Sequence, residues 1–273
     1  MKIAIDLGGT NMRVALIDEG NIIEKKSVFS PSEQPCEIVL DSIKGLISHF
    51  LTPEVTKIGI GVPSVVDADK GIVYNVVNIP SWKEVHLKDE LESTFNIPVS
   101  VNNDANCFAL GIKVFGEGKN TKNLVGVTLG TGVGAGIIIN NQLYNGANTC
   151  AGEIGSLPYR DYDYEHYCSS VFFTKYHNIT ARDAALRAIN GDYSALSIWE
   201  EFGYNLGDLI KMIMLTYDPE MLVFGGGISA AYPFFEKKMF AHLKTFPYPE
   251  SVKNLKILVS QTPDIALLGA SEL

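Results

Sequence analysis

The chain has 273 residues and a net charge of −9, from 22 basic and 31 acidic side chains. Apolar residues make up 46% and charged residues 19%, which is typical of a globular protein with a large core or two domains. The acidic balance and the lack of Lys/Arg runs argue against a nucleic-acid partner, and no apolar stretch is long enough to cross a bilayer. Asp6 interrupts the first apolar run, so we expect no signal peptide, and four cysteines without a CxxC pair favour a cytoplasmic protein.

Hydrophobic periodicity predicts alternating strands and helices in the first part of the chain. Two apolar stretches flank Gly8, Gly9 and Thr10, so residues 2–18 are predicted to form a β-hairpin. The elements predicted after it are a strand over 21–29, a helix over 37–50, a strand over 55–62, a loop-rich stretch over 67–82 with one short strand, a helix over 87–95, a strand over 97–101 and a helix over 104–112.

A polar stretch, GEGKNTKN at 116–123, predicts a domain boundary, and the pattern restarts beyond it. The elements predicted there are strands over 124–129, 133–140 and 142–144, helices over 164–177 and 194–215, a strand over 221–224, a helix near 230–244, a strand over 257–260 and a closing helix over 265–272. A strand, a Gly/Thr turn and a second strand thus occur twice, which indicates duplicated halves. We predict domains at 1–115 and 116–264, with 265–273 packing on the first.

The first turn has the chemistry of an anion site. Gly8 and Gly9 would let backbone N–H groups approach a phosphate closely, and Thr10 adds a hydroxyl donor. Asp6, at the end of the strand before the turn, is placed to hold a phosphate-bound Mg²⁺ through water. The alternative is an ordinary hairpin with a glycine-rich turn.

The second turn lies in VTLGTGVGAGIII and has alternate glycines. A dinucleotide fingerprint would need a helix after the loop, and a β-branched strand follows instead. A hairpin turn that offers Thr131 and bare backbone N–H groups to a phosphate fits better. The alternative is a glycine-rich strand packed closely against another backbone. Two such loops, one in each half and facing each other across a cleft, describe the actin-like ATPase architecture.

Several ordered stretches together resemble one family. DLGGTNMR, VNNDANCFALG, VTLGTGVGAGI, CAGEIG, LTYDPEMLVFGGGIS and the closing IALLGASEL resemble the ROK family of bacterial sugar kinases and sugar-responsive repressors. The resemblance spans nearly the whole chain. It implies an α/β fold of the actin-like ATPase (ribonuclease H-like) type, with two duplicated domains, mixed sheets and a central nucleotide cleft. It also implies that ATP and Mg²⁺ are used and that a sugar is the substrate.

The resemblance assigns the catalytic base to Asp104 and a sugar-hydroxyl contact to Asn103. Asp104 follows a predicted strand and opens a predicted helix, where the positive end of the helix dipole favours a carboxylate. In kinases such a carboxylate orients the attacking hydroxyl and accepts its proton late. The alternative is an aspartate that only caps the helix.

The other implied sites fall into two groups. Candidate sugar contacts are Glu153, Glu165, Ser64, Asn75, Asn78 and Asp104 itself; the alternatives are a surface turn for Glu153, an exposed helix residue for Glu165 and solvated loop residues for the rest. Candidate nucleotide contacts are Asp6, Gly8, Gly9, Thr10, Asn11, Arg13, Gly130, Thr131, Gly132, Gly225, Gly226 and Gly227, the last three matching the loop that takes the adenosine. The alternative for that loop is a plain strand-to-helix turn.

The chain departs from the family where related kinases bind zinc. Ser156 stands where they carry a His, and Cys168 is the lone cysteine of the segment that usually supplies the sulfur ligands. Cys150 and His166 do not complete a ligand set, so we expect no zinc. The departure leaves glucose, fructose, an N-acetylhexosamine or a glycoside open as substrate. Tyrosines at 159, 162 and 164 could stack on a second sugar ring or serve packing.

The sequence thus predicts ATP-dependent phosphorylation of a hydroxyl of a hexose or hexose derivative. One alternative is a sugar-responsive regulator, against which we set the first strand at the N-terminus, with no helix-turn-helix before it, and the net charge of −9. Another is a sugar-binding protein without kinase activity, against which Asp104 argues. The oligomeric state stays open, with a homodimer as a candidate.

Overall fold

The computed structural model describes residues 1–273. The chain forms two compact units, one of Met1–Asn120, Gly136–Ala151 and Gln261–Leu273, and the other of Thr121–Ala135 and Gly152–Ser260. The first unit therefore includes residues 136–151, which the sequence prediction assigned to the second domain. None of the helices combines the length and the apolar character needed to span a membrane.

The first unit is built on a mixed five-stranded sheet, in which the predicted hairpin and third strand are confirmed. Its strands are β1 (Lys2–Leu7), β2 (Asn11–Asp18), β3 (Asn21–Phe29), β4 (Lys57–Val62) and β8 (Val99–Asn103), in the order β3-β2-β1-β4-β8. β1 to β3 form an antiparallel meander, whereas β1, β4 and β8 run parallel. Two of the helices that follow are α1 (Cys36–Phe50) and α2 (Leu87–Phe95). The apolar face of α1 is buried, as its periodicity predicts.

The stretch predicted over 67–82 as loop-rich with one short strand contains one strand, and two further short strands at its borders pair with it. β5 (Val65–Asp67), β6 (Ile72–Tyr74) and β7 (Glu84–His86) form a three-stranded antiparallel sheet. Each strand has only three residues, which is too short for a hydrophobic alternation to be visible in the sequence.

Two helices of the first unit pack backbone to backbone. α3 (Asp104–Val114) lies against α9 (Ile265–Ala270), the closing helix predicted from the sequence. A Cβ placed on Gly111 would lie 2.0 Å from the carbonyl oxygen of Ile265, and one placed on Gly269 would lie 1.8 Å from that of Cys107. Glycine is therefore required at both positions by the close approach of the helices.

The second five-stranded sheet has the order β11-β10-β9-β14-β15. Its strands are β9 (Leu124–Leu129), β10 (Val133–Ile139), β11 (Gln142–Leu143), β14 (Met221–Gly225) and β15 (Lys256–Val259), and β14 runs parallel to both β9 and β15. The remaining elements are β12 (Pro158–Tyr159), β13 (Tyr162–Asp163), α4 (Tyr164–Cys168), α5 (Ala181–Ile189), α6 (Tyr193–Tyr217), α7 (Tyr232–Leu243) and α8 (Pro249–Asn254).

The prediction of a single helix over 164–177 is wrong, because the helix is interrupted after Cys168. Ser169 is extended, with φ −123° and ψ −171°, and the backbone N–H of Ser170 donates to the carbonyl of Gly130 at 2.8 Å instead of continuing a helix. A separate π-helical turn, Phe172–Tyr176, follows. The helices α5 and α8 were not predicted.

Candidate functional site

In the first unit the predicted catalytic residues lie at the carboxyl ends of parallel strands. Asp6 on β1 is in register with Gly61 on β4, and Gly61 is in register with Asn102 on β8. Asp104 begins α3 directly after β8. In open α/β sheets ligands bind at this edge. The topology therefore gathers Asp6 and Asp104 where a ligand of such a sheet is expected.

Asp104 is not the N-cap of its helix. Asn103 occupies that position, and its Oδ1 accepts from the backbone N–H groups of Ala105 at 2.8 Å and Asn106 at 3.3 Å. Asp104 sits at the first helical residue, and its Oδ1 also accepts from Ala105 N at 2.8 Å. The helix-capping alternative thus belongs to Asn103, and Asp104 lies in the positive field of the helix N-terminus.

The pKa of the buried Cys107 thiol is affected by the nearby carboxylates of Asp104 and Asp6. Burial raises the pKa of Cys107 well above its usual range, and the negative charges of Asp104 and Asp6 raise it further. A Cβ on Gly61 would lie 3.1 Å from Cys107 Sγ. Asp6, Asp104 and the end of β4 therefore surround one thiol, which makes the region around it acidic.

The candidate sugar contacts Asn103, Ser64 and Asn75 also form hydrogen bonds within the first unit. The amide of Asn103 donates to the Ser64 carbonyl at 3.1 Å, and the Ser64 hydroxyl donates to the carbonyl of Tyr74. Asn75, the weaker candidate nearby, has φ +47° and donates its backbone N–H to Lys83. Sugar contacts by these residues stay predictions.

In the first glycine-rich turn, groups of the same unit already occupy the space beside the glycines. Gly8 N donates to the Asn11 carbonyl at 2.9 Å, and a Cβ on Gly8 would lie 2.7 Å from that oxygen. A Cβ on Gly9 would lie 2.4 Å from the Cβ of Asn78, which places this predicted sugar contact against the turn. The side chain of Thr10 is exposed.

Beside that turn, Asp6 and Arg13 face each other across β1 and β2. They are direct cross-strand partners, and the Arg13 guanidinium donates to the Asp6 carboxylate. The Asp6 side chain retains 15% exposure. Carboxylate oxygen is the donor that Mg²⁺ prefers, so Asp6 suits the predicted contact through water.

In the second turn one glycine is open and another faces a carboxylate. Gly130 N donates to the Gly132 carbonyl at 3.0 Å, and a Cβ on Gly130 would meet no atom within 4 Å. A Cβ on Gly132 would lie 2.4 Å from Glu165 Oε2, which also accepts from the backbone N–H of Val133 at 3.2 Å. Glu165, predicted as a sugar contact, therefore lies against the turn predicted to bind phosphate.

Ser170, to which the sequence analysis assigned no role, also bonds to this turn. Besides the backbone bond to Gly130, its hydroxyl donates to the Thr131 carbonyl at 3.3 Å. The available signal was the pair of serines, Ser169 and Ser170, shortly after Glu165 in the sequence.

Glu153 is held beside β10 by two glycines. Gly152 has φ +90°, and its Cβ would lie 2.0 Å from the Ala135 carbonyl oxygen; a Cβ on Gly155 would lie 2.5 Å from that of Val133. This segment is therefore packed along the strand and is not a free surface turn.

Glu153 is influenced by burial and by the charge of Glu165. The Glu153 side chain keeps solvent access, yet neighbouring protein atoms partly desolvate its carboxylate. That desolvation raises the pKa of Glu153, and the negative charge of Glu165 raises it further. The segments that carry these two predicted sugar contacts both pack against Val133, Gly155 at its carbonyl and Glu165 at its backbone N–H.

The triple-glycine loop follows β14 and adjoins the end of β9. Gly225 is in register with Thr128, and Gly226 has φ +83°, with its Cβ position 2.3 Å from the Leu129 carbonyl oxygen. Gly227 has open space where a Cβ would stand. The backbone conformation and close packing therefore require a glycine at position 226, whereas no contact within the protein requires one at position 227.

The three residues considered as zinc ligands, Cys150, Cys168 and His166, do not form a metal site. Cys168 is fully buried and Cys150 is exposed, while His166 Nδ1 lies 2.7 Å from Asp163 Oδ1. No three His, Cys, Asp or Glu side chains are placed to share a metal ion. The donor set does not fit zinc, and a zinc-free protein stays a prediction.

Comparison with known proteins places this fold in context. Residues 2–273 match the sequence profile of the ROK family. A glucokinase of Halalkalibacterium halodurans is 30% identical, over 90% of this chain and 86% of that protein. A xylose repressor of Bacillus subtilis is also 30% identical, over 95% of this chain and 72% of the repressor. A ROK family glucokinase from Streptomyces griseus, crystallised with glucose and AMPPNP, superposes with a TM-score of 0.84 at 25% identity, over 99% of this chain and 98% of that one.

Proposed function

Since the chain belongs to the ROK family, we propose that it is an ATP-dependent kinase that phosphorylates a hydroxyl group of a hexose or hexose derivative. The observation that carries the proposal is the placement of Asp104. It stands at the N-terminus of α3, at the carboxyl edge of three parallel strands, with Asp6 gathered at the same edge.

In the proposed reaction Asp104 orients the attacking sugar hydroxyl and accepts its proton as the bond to phosphorus forms. The transition state of phosphoryl transfer is loose, so positioning and charge stabilisation matter more than strong basicity. Mg²⁺, when bound, would neutralise charge on the phosphates. Asp6 would contact it through water.

The second unit supplies the remaining proposed contacts. Glu153 and Glu165 would accept hydrogen bonds from sugar hydroxyls. Gly130 and Gly227 lack side chains where the fold does not demand it, and a closely approaching nucleotide would explain both. We therefore assign the phosphates to the turn at 130–132 and the adenosine to the loop at 225–227.

A second candidate function is a sugar-responsive regulator. It is supported by the xylose repressor of Bacillus subtilis, which is as similar in identity to this chain as the glucokinase is. A regulator of this kind would bind a sugar without turning over ATP.

The test is sugar-dependent ADP release, measured with glucose, fructose, xylose and N-acetylglucosamine beside calorimetric sugar binding. A kinase releases ADP with at least one sugar, far above the background of the Asp104→Asn variant. Sugar binding with ADP release no higher than that of the variant would favour the regulator.

A further inference from the structure

The segment that joins the two glutamates has little structure of its own. Between Glu153 and Glu165 the chain forms the strands β12 and β13, each of only two residues, closed by the backbone bond from Tyr164 N to the Leu157 carbonyl at 3.1 Å. A two-stranded hairpin of this size is not stable alone. Glu153 packs along β10 and Glu165 accepts from Val133 on that strand, and the hairpin is the chain that connects them, so what holds the hairpin also contributes to the spacing of the two carboxylates.

Tyr159 is its main anchor. The Tyr159 ring stacks on Tyr164, with centroids 4.4 Å apart and planes 13° from parallel, and meets Tyr167 edge-on at 5.4 Å. The Tyr159 hydroxyl donates to Asp208 Oδ2 at 2.9 Å and lies 3.2 Å from Oδ1 of the fully buried Asn205. One side chain thus ties the hairpin to α4 and to α6.

Asp208 is itself fixed by two helices. Its Oδ1 lies 3.2 Å from Lys211 Nζ on α6 and 2.5 Å from His242 Nε2 on α7, and Lys211 also donates to Thr245 at 2.8 Å. Burial opposes ionisation of Asp208, yet the hydrogen bonds from His242, Tyr159 and Lys211 outweigh it and lower the pKa of Asp208. The acceptor of the Tyr159 hydroxyl is therefore a carboxylate in a fixed position.

A cation covers the outer side of this anchor. The Arg160 guanidinium lies 5.2 Å from the ring centroids of both Tyr159 and Tyr167 and 5.9 Å from that of Tyr204. Tyr204 in turn packs on His242, with centroids 3.8 Å apart. These contacts connect the hairpin to α6 and, through His242, to α7.

We infer that Tyr159 and Asp208 are a positioning pair that fixes the spacing of Glu153 and Glu165 and thereby sets the affinity for the sugar. The inference rests on the proposed function, in which the two glutamates bind sugar hydroxyls. Tyr159 therefore acts through the hairpin and need not touch a sugar ring.

The test compares wild type with Tyr159→Phe, which removes one hydroxyl and keeps the stacked rings. Loss of a hydrogen bond to a charged group should raise KM and Kd for the sugar about tenfold. The value of kcat should stay within about twofold, because Asp104 is untouched. Tyr193→Phe is the matched control, since Tyr193 is 88% exposed on α6.

Asp208 gives a second, independent variant. Asp208→Asn keeps an oxygen acceptor for the Tyr159 hydroxyl and should retain near wild-type sugar affinity, whereas Asp208→Ala should reproduce the loss. The double variant Asp208→Ala, Tyr159→Phe should lose no more sugar affinity than the more affected single variant, because both substitutions remove the same hydrogen bond.

Hydrogen exchange of the backbone amides in residues 152–168 tests the positioning inference separately from the proposed kinase function. Exchange should accelerate in Tyr159→Phe and not in Tyr193→Phe, with or without sugar. Failure of the proposed function would appear in the wild type, as absence of sugar binding and ADP release. The positioning inference is overturned if Tyr159→Phe keeps wild-type sugar affinity, if its exchange over 152–168 is unchanged, or if kcat falls with no change in sugar KM.

Discussion

The two glycine-rich turns look alike in sequence and differ in what surrounds them. In the first, Gly9 is required because Asn78 of the same unit occupies the space beside it. In the second, Gly130 borders open space, and Gly132 borders the carboxylate of Glu165. A glycine in such a turn can therefore be required by the fold, by a functional side chain or by a ligand, and Gly130 is the one of these three whose missing side chain neither Asn78 nor Glu165 explains.

The carboxylates beside the turns differ in the same way. Asp104, in the unit of the first turn, lies at a helix N-terminus, whereas burial and the nearby charge of Glu165 raise the pKa of Glu153 in the unit of the second. We therefore expect substitutions in the first unit to change the rate or the stability, and those in the second to change affinities.

The largest effect should come from Asp104→Asn, which removes charge and proton acceptance while keeping shape. Phosphoryl transfer should slow about 10²–10⁴-fold, the usual contribution of a general base, with sugar and ATP still binding. Stopped-flow ADP release and calorimetry measure the two quantities. Asp41→Asn on the exposed face of α1 is the control. A rate within about threefold of wild type would reduce Asp104 to a structural role.

The next effect is on stability and contrasts the two turns directly. Gly9→Ala should lower the free energy of unfolding by about 1–3 kcal/mol, because the new methyl group collides with Asn78. Gly130→Ala should leave it nearly unchanged, since nothing lies within 4 Å. Urea denaturation measures both. Equal destabilisation would show that the turns do not differ as described.

A third effect concerns ATP. Gly130→Ala should weaken ATP binding about tenfold, as an added methyl group intrudes where a phosphate is proposed to lie. A Gly132→Val variant would weaken ATP binding on the same grounds, but it would also collide with Glu165, so Gly130 is the cleaner probe. Gly45→Ala, exposed on α1 with no atom within 4 Å, is the control. Unchanged ATP affinity in Gly130→Ala would remove the phosphates from this turn.

A smaller effect should appear in the titration of Glu153. Because the folded pKa of Glu153 is raised, its stabilisation of the fold is complete below the ordinary glutamate pKa and is lost as the pH rises through the raised value. Glu165→Gln removes the like charge, so the pKa of Glu153 should fall toward its ordinary value while the contribution of burial remains. Carbon NMR of the carboxylate measures this, with Glu153→Gln for assignment. A pKa that stays or rises would mean the carboxylates do not interact.

The smallest effect is expected from zinc removal. With Ser156 at the usual histidine position and the aromatic contacts of Tyr159 holding the hairpin, purified protein should contain no stoichiometric zinc. A zinc-selective chelator should leave sugar-dependent ADP release unchanged in the presence of Mg²⁺. One zinc per chain by elemental analysis, lost together with activity, would make Cys150, Cys168 and His166 ligands after all.

Local patterns in the sequence were enough to predict the sheets and the long helices. The apolar spacing of α1 and the strand before Asp104 needed only periodicity and the residues at the strand end. Contacts between distant residues were not predictable in this way. Nothing in the sequence around Gly132 indicates that Glu165 lies against it. The interruption of the helix after Cys168 coincides with the hydrogen bond from Ser170 to Gly130, which is also a contact between distant residues.

The helix α5 was missed although its signal was present. Thr180 Oγ1 accepts from Asp183 N at 3.0 Å, the usual cap for a helix start, and the buried side of this short helix consists of the small side chains of Ala184 and Ala188. The partner of Tyr159 could not be read from the sequence, because Asp208 lies among apolar residues of a long helix and Tyr159 is 49 residues away in the chain.

The glycine contacts between α3 and α9 have a consequence for biosynthesis. α3 emerges from the ribosome with the first half of the chain, yet the backbone surface around Gly111 is covered only by Ile265–Ala270. Domains generally fold as they are completed during translation, and closing so long a loop carries an entropic cost. The first unit must therefore wait, with one helix face bare, until the whole second unit has been synthesised. A nascent chain stalled before residue 265 should bind chaperones through that face.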